Sequence, residues 1–312
     1  MRKILILLNL LLVLVGARAA FEPIYDEPIA VSGTNEHIEQ ELIAWIQENE
    51  MAPQEPRLDA VFDFVPGLHG LSVDFELSLH NMLANGTFDP SLIVAHSTPF
   101  EGDPAEFKQY PMYKGNEQGN YVALLINVAW GHDELNEMLD ILDELEVSAS
   151  LFFEGRYASK HEEQVRDVFN RGHIVGNHSY SHPANWLSHS YDQFKEEIVK
   201  TNEILSGITG EQVVFFAPPG GAFNDTTVQA AFDQDMYTIL WTADTIDWRG
   251  DSASTLINRV MKRISPGGLI LTHPKPETVK ALEPMITQLR EQGYEFKTVD
   301  QIISGERLGF GE

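Results

Sequence analysis

The sequence contains no cysteine among its 312 residues. The chain therefore forms no disulfide, and it offers no thiolate nucleophile, no thiolate zinc ligand and no N-terminal cysteine for lipid attachment. Histidine and carboxylate side chains remain as its strong metal ligands.

Basic residues are scarce, because 21 Lys and Arg stand against 47 Asp and Glu, which gives a net charge of -26. A chain of this charge is repelled by phosphate backbones and by anionic lipid headgroups. We therefore expect neither nucleic acid nor a charged membrane surface as a partner. The expected partner is neutral or cationic. The apolar fraction of 43% is typical of folded protein. The length predicts about two domains with sizeable cores.

One long hydrophobic run occurs, at residues 4–15, after two basic residues and before a short alanine-rich stretch. This pattern is typical of a secretory signal peptide, here residues 1–20, with cleavage after Ala19 or Ala20. The alternative is a retained anchor, but the run is shorter than the roughly 20 residues that span a bilayer. We expect a secreted, cell-wall-associated protein with no integral membrane span and a mature charge of -29.

Residues 21–99 are predicted to form a small α+β domain, and residues 100–120, rich in Pro and Gly, a linker. Hydrophobic periodicity and turn residues define its elements. The predicted elements are a helix at residues 38–49, a strand at 61–65, a second helix within 71–83 and a strand at 92–94.

From residue 121 to 305 strands and helices alternate regularly, and residues 306–312 form a tail. The predicted strands are residues 122–128, 148–153, 173–176, 213–216, 236–242, 268–272 and 294–298. Such alternation predicts a mostly parallel sheet. Seven strands indicate an incomplete (β/α)7 barrel, an α/β fold whose site lies at the carboxyl ends of the strands.

Three of these strand ends carry residues suited to a chemical site. His178 and His182 stand four residues apart and can meet one metal ion if the segment turns, while Asp244, Asp247 and His273 follow two later strands. Each group also has an ordinary explanation. The two histidines of the first segment could be exposed loop residues, and the two Asp residues could be helix caps or loop charges. His273 could be a hydrogen-bonded residue at a strand end. Their placement at one edge of the sheet favours a common site.

Residues 121–303 resemble the polysaccharide deacetylases, the NodB homology domain of carbohydrate esterase family 4. The whole chain resembles a secreted branch associated with sporulation in Bacillus-type bacteria. The resemblance rests on three motifs in order, His178-Ser179-Tyr180-Ser181-His182, Asp244-Thr245-Ile246-Asp247-Trp248 and Leu271-Thr272-His273.

The resemblance implies a fold of the deacetylase type and a role for each motif residue. His178 and His182 would bind a divalent metal, with zinc expected, His273 would protonate the leaving amine, and Asp244 would orient His273. The implied reaction removes N-acetyl groups from N-acetylglucosamine units of peptidoglycan or a chitin-like polymer. In such chemistry a metal ion polarises the carbonyl and activates a water molecule while a base removes its proton.

Three positions depart from the family pattern. Ala129 stands where the family has its catalytic base, Trp130 where it has the remaining metal-binding Asp, and Ala217 where an Arg orients that base. Losing the Arg together with the base is physically coherent, because an unpaired buried guanidinium costs several kcal/mol. The pattern indicates an altered site.

Two nearby acids are candidate replacements. Asp133 is the candidate metal ligand, although it also suits the first turn of a helix, and Glu154 is the candidate base, although it can equally pair with Arg156. Trp130 either gives a sugar ring a stacking face or is itself an aromatic residue of the core. The residues expected to contact the polysaccharide are Trp130, Trp248, Pro219 and Tyr180.

Two hypotheses follow. The first is a secreted, metal-dependent hydrolase that deacetylates N-acetylated polysaccharide, and the second is a catalytically deficient relative that binds wall glycan or an assembly partner. Because the whole chain is strongly acidic, we expect recognition of neutral sugar through shape, stacking and hydrogen bonds. Protein partners are not predicted.

Overall fold

A computed structural model describes residues 33–307 and 309–310 of the chain. The leader predicted over residues 1–20 lies outside this part. None of the helices within the described residues is both long and apolar enough to cross a membrane.

The first described segment contains two helices and two small antiparallel sheets. In chain order its elements are α1 (Gly33–Asn49), β1 (Arg57–Asp59), β2 (Asp63–Val65), β3 (Gly70–Val73), α2 (Phe75–Asn85) and β4 (Ala95–Thr98). β1 pairs with β2 and β3 pairs with β4. The helices pack on each other through Ile38, Leu42 and Met82, which are buried.

Two local caps account for differences from the predicted elements of this segment. The second helix begins only after Asp74, whose side chain accepts a hydrogen bond from the backbone N–H of Leu77, and the residues before it belong to β3. The strand predicted at residues 92–94 is wrong. There Asp89 caps a 3₁₀ turn, Pro90–Leu92, so the strand begins later, with β4.

The rest of the chain alternates strands and helices as the sequence predicts. Its elements are β5 (Tyr121–Val128), α3 (His132–Glu144), β6 (Ser150–Phe153), α4 (Gly155–Ala158), α5 (Glu162–Asn170), β7 (Ile174–Asn177), α6 (Tyr191–Thr209), β8 (Phe215–Phe216), α7 (Asp225–Phe232), β9 (Tyr237–Thr238), β10 (Ala243–Asp244), α8 (Ala253–Met261), β11 (Gly268–Thr272), α9 (Pro276–Glu291), β12 (Glu295–Phe296) and α10 (Val299–Ser304).

Strands β5 to β12 form one parallel, curled sheet in the order β10-β11-β5-β6-β7-β8-β9, with β12 also paired to β5. The predicted α/β half-barrel is therefore confirmed. Of the strand predicted at residues 236–242, only Tyr237–Thr238 pairs in the sheet, as β9. The chain then crosses to the other edge of the curled sheet, where β10 follows at Ala243–Asp244.

The central strand β5 is buried on both faces. Its even-numbered residues, Val122 to Val128, pack outward against the helices, whereas Tyr121, Ala123 and Leu125 fill the interior of the half-barrel. This period of two follows from the alternation of side chains along a strand. It also gives Asn127 and Ala129 the inward register at the carboxyl end.

The predicted linker passes close to the open edge of the half-barrel. Met112, which is fully buried, donates its N–H to Thr238 O at 2.9 Å and accepts from Leu240 N at 2.8 Å. Phe64 lies in the same interior cluster and stacks on Tyr237 and Phe107. The N-terminal segment therefore shares a core with the barrel.

Replacement of Phe64 by Ala tests this shared core. We expect Phe64→Ala to lower the free energy of unfolding by about 3–5 kcal/mol, because it removes a buried ring that touches both parts. The control Val61→Ala, at a position 72% exposed, is expected to change it by less than about 0.5 kcal/mol. Urea unfolding measures both, and a loss below about 1 kcal/mol for Phe64→Ala would contradict the shared core.

Candidate functional site

His178 and His182 lie in the turn that follows β7, and the structure brings their rings together at a centroid distance of 4.9 Å. Nδ1 of His178 lies 2.7 Å from Ala217 O. Because a carbonyl oxygen only accepts, Nδ1 carries the proton and Nε2 is left for a ligand. Burial, with a smaller contribution from His182, lowers the pKa of His178 to about 3, so the ring is neutral. Burial also lowers the pKa of His182.

Glu197 of α6 fixes this turn. Its carboxylate accepts from the backbone N–H of Tyr180 at 2.9 Å, from Ser181 N at 2.7 Å and from Ser181 Oγ at 2.7 Å. The turn itself is tight, since Ser179 and His182 both have positive φ angles, 62° and 45°. The sequence did not identify Glu197 as a site residue, because an acidic residue on a helix is usually an exposed surface charge.

His273 follows β11 and is held by a buried carboxylate, that of Asp247. Asp247 accepts from His273 Nδ1 and His273 N, both at 2.7 Å, and from Thr278 Oγ1 at 3.0 Å. Burial alone would raise the pKa of Asp247, but the bonds from His273 and Thr278 outweigh it, and the pKa lies below its usual value. The proton on Nδ1 leaves Nε2 of His273 for a ligand.

The expectation that Asp244 orients His273 is therefore corrected. Asp244 accepts from the backbone N–H of Ile246 at 2.7 Å, and burial raises its pKa. The 3₁₀ turn Asp247–Arg249 carries the chain back so that the second acid of the motif, rather than the first, reaches His273.

Trp130 stands beside His273 at the end of β5. The two rings are stacked, with centroids 5.7 Å apart and an angle of 14° between planes, and Lys275 Nζ lies 4.9 Å from the Trp130 ring centroid. Gly131 allows this close approach, because its φ is +78° and a Cβ there would lie 2.5 Å from Pro274 O. The indole is 39% exposed.

The other two positions that depart from the family pattern are both alanine, and Ala129 directly follows β5 and is half-buried. Ala217 is buried, and its carbonyl holds His178. Near the end of β5, the buried Oδ1 of Asn127 has no hydrogen-bond partner within the described structure. The sequence does not identify Asn127 as a site residue, because a single Asn in a strand belongs to no known motif.

Asp133 does not join the two histidines. Its side chain is 93% exposed in the first turn of α3 and contacts His132 Nδ1 at 3.1 Å. No group of three or more His, Asp or Glu in the described parts of the chain is arranged to hold a metal. The expected metal site with Asp133 is corrected accordingly: His178 and His182 remain a pair of ligands without a third, and they do not fit the three-ligand site of the family.

Glu154 lies at the end of β6 and caps α4. Its Oε2 accepts from the backbone N–H of Tyr157 at 3.0 Å, and burial raises its pKa. No ion pair within 4 Å joins Glu154 to Arg156 among the described residues, and the guanidinium carbon of Arg156 lies 5.5 Å from the ring centroid of Tyr180. Glu154 thus serves as a helix cap with one carboxylate oxygen uncommitted.

The residues expected to contact sugar differ in their exposure and in their neighbours. Trp248 is 59% exposed next to Asp247, whereas Pro219 is buried and lines a cavity of about 450 Å³ together with His182 and Trp186. Tyr180 is held between α4 and α6, with Lys200 Nζ 3.6 Å from its ring centroid. Its ring is therefore covered by cations rather than presented beside His273.

Residues 114–239 match the family model for polysaccharide deacetylase. The chain belongs to this family, also known as carbohydrate esterase family 4, and the family prediction is confirmed. Members act on N-acetylated polysaccharide and are generally metal-dependent.

Particular relatives cover different shares of the chain. An uncharacterized protein of Bacillus subtilis, YlxY, is 35% identical over 282 residues, which cover 90% of this chain and 88% of YlxY. A peptidoglycan-N-acetylglucosamine deacetylase of Bacillus cereus is 36% identical over 172 residues, or 54% of this chain and 62% of that one.

Among solved structures, a family 4 pseudoenzyme of Bacillus anthracis is 35% identical with a TM-score of 0.83, covering 88% of this chain and 97% of that chain. A mutant of that pseudoenzyme with restored enzymatic activity is 34% identical with a TM-score of 0.82, covering 86% and 99%.

Exchange of the two acids tests which one supports His273. Because the pKa of Asp247 is lowered in the folded state, its charged carboxylate stabilises the fold fully at pH values above the unfolded-state pKa, near 3.9. This stabilisation is lost progressively as the pH falls below that value. We expect Asp247→Asn to cost roughly 3 kcal/mol at neutral pH, with a smaller loss in acid. Asp244→Asn should leave stability equal or higher, because its raised pKa shows that the fold disfavours its charge. Equal losses in urea unfolding would contradict this assignment.

Zinc titration tests the missing third ligand. We expect Trp130→Asp to bind zinc at least about tenfold more tightly than the wild type, because a carboxylate then joins His178 and His182. The matched control Trp130→Ala removes the ring without adding a ligand and should bind as weakly as the wild type. Equilibrium dialysis provides the measurement, and tight stoichiometric zinc on the wild-type protein would refute the two-ligand interpretation.

Proposed function

We propose that this protein is an exported member of the polysaccharide deacetylase family that binds N-acetylated cell-wall glycan without removing its acetyl groups. The observation that carries the proposal is Trp130. It stands at the position where the family resemblance places a metal-binding Asp, and its ring stacks on His273. Export is supported by the leader pattern at residues 1–20.

The retained histidines suit a sugar ligand. With Nδ1 bonded to Ala217 O in His178 and to Asp247 in His273, both rings offer Nε2 as a hydrogen-bond acceptor when neutral. Sugar hydroxyl groups and the acetamido N–H are donors. The exposed ring of Trp248 adds an apolar face of the kind on which sugar rings pack.

The same groups explain why hydrolysis is not expected. Attack on an amide needs a base to deprotonate water and an electrophile to polarise the carbonyl. At the end of β5 neither Ala129 nor Trp130 supplies a carboxylate, and Asp133 faces solvent. The pseudoenzyme of Bacillus anthracis, similar over most of the chain, supports this proposal.

A second candidate, slow deacetylation, is favoured by one observation. Glu154 is a buried carboxylate with a raised pKa and only one oxygen used in capping, which is how a general base is often prepared. If Glu154 serves as that base, Glu154→Gln abolishes acetate release while the glycan still binds.

Acetate release from N-acetylglucosamine tetramers and from peptidoglycan, with zinc present, decides between these functions. We expect no release above background by the wild-type protein, and release at least about 100-fold above background by Ala129→Asp/Trp130→Asp/Ala217→Arg, which restores base, ligand and supporting Arg. Adding His178→Ala to that variant should abolish the gain.

Binding of the same tetramer to the wild-type protein is measured in parallel by calorimetry. Metal-dependent release by the wild type that His178→Ala abolishes would establish the deacetylase instead. Absence of both binding and release would overturn the glycan-binding function.

A further inference from the structure

Two cationic side chains each rest on an exposed tryptophan: Lys275 on Trp130, which stacks on His273, and Arg249 on Trp248. Lys275 Nζ lies 4.9 Å from the ring centroid of Trp130, and the Arg249 guanidinium carbon lies 5.1 Å from that of Trp248. Neither cation has an acidic partner within 4 Å among the residues that the structure describes. Cation–π contacts of this kind hold a charge in place without neutralising it.

The acids close to these cations are already engaged. Asp247 is bonded to His273 and Thr278, Glu277 to Lys280 and the backbone of Ala253, and Asp251 to Arg259. Burial raises the pKa of Asp244, which disfavours its charge. The positive charges of Lys275 and Arg249 are therefore left for a ligand.

This local charge is opposite in sign to the protein's net charge of -26. At physiological ionic strength, exposed charges separated by more than about 8 Å are largely screened. Distant surface acids therefore act weakly on a group seated against Trp130, where Lys275 is the cation in contact with the ring. The preference for neutral sugar expected from the composition does not extend to the site itself.

We propose that the site selects N-acetylated glycan whose sugar carries a carboxylate, with Lys275 as the specificity-determining residue and Arg249 as a second contact. This inference rests on the proposed glycan binding. The acetamido group and hydroxyl groups meet the histidines, while the carboxylate pairs with the ammonium that Trp130 holds. Trp130 thus replaces a metal ligand and positions a cation at the same place.

The experiment compares two tetrasaccharides by calorimetry on the full-length protein. One is the neutral tetramer of N-acetylglucosamine, and the other is a peptide-free tetramer in which N-acetylglucosamine alternates with N-acetylmuramic acid, whose lactyl groups are free carboxylates. We expect the wild type to bind the carboxylated tetramer roughly fivefold more tightly, with the difference shrinking at high salt.

Variants at Lys275 separate its charge from its packing. Lys275→Met keeps the aliphatic stem on Trp130, and we expect it to bring the ratio of the two dissociation constants toward one, whereas Lys275→Arg keeps the ratio. The matched control Lys262→Met removes the same charge from the far end of α8 and should leave the ratio unchanged.

Equal affinity of the wild type for the two tetramers would overturn this inference and leave the proposed glycan binding intact. A preference that persists in Lys275→Met would overturn the role of Lys275. Failure to bind either tetramer would overturn the proposed function and this inference together.

Discussion

Burial of β5 on both faces is the constraint on which the rest of the molecule depends. Its eight residues are all buried, and the strand pairs in parallel with β6, β11 and β12. Parallel strands place their carboxyl ends at one edge, so the segments that follow β5, β7, β10 and β11 meet at one mouth. A fold of this kind keeps its site geometry even when the residues in the site change.

The three substitutions at the mouth form one physical unit. By the family resemblance, a carboxylate at position 129 and a guanidinium at position 217 would neutralise each other, and either one alone would leave an uncompensated charge in a site that is at least partly buried. Ala217 also keeps its backbone role, because its carbonyl fixes the tautomer of His178. The site thus has hydrogen bonds that orient His178 and His273, but no carboxylate at positions 129 and 130.

Much of the fold was predictable from periodicity, because long runs such as β5 and β11 and the amphipathic helices between them carry a strong pattern. The short strand β4 was misplaced, since a cap at Asp89 decided where the chain turned. The crossing between β9 and β10 was also missed, and the strand predicted at residues 236–242 was too long, because a run of apolar residues does not reveal that the sheet curls.

The sequence by itself predicted the family and the histidine pair and showed that positions 129 and 130 carry no carboxylate, because these depend on residue identity and order. Only the tertiary structure decided that Asp247 rather than Asp244 holds His273 and that Asp133 faces solvent. Only the tertiary structure also shows that Lys275 lies on the ring of Trp130, because these two residues follow different strands. Side-chain direction depends on turn geometry and on packing between distant segments, and neither is encoded in spacing along the chain.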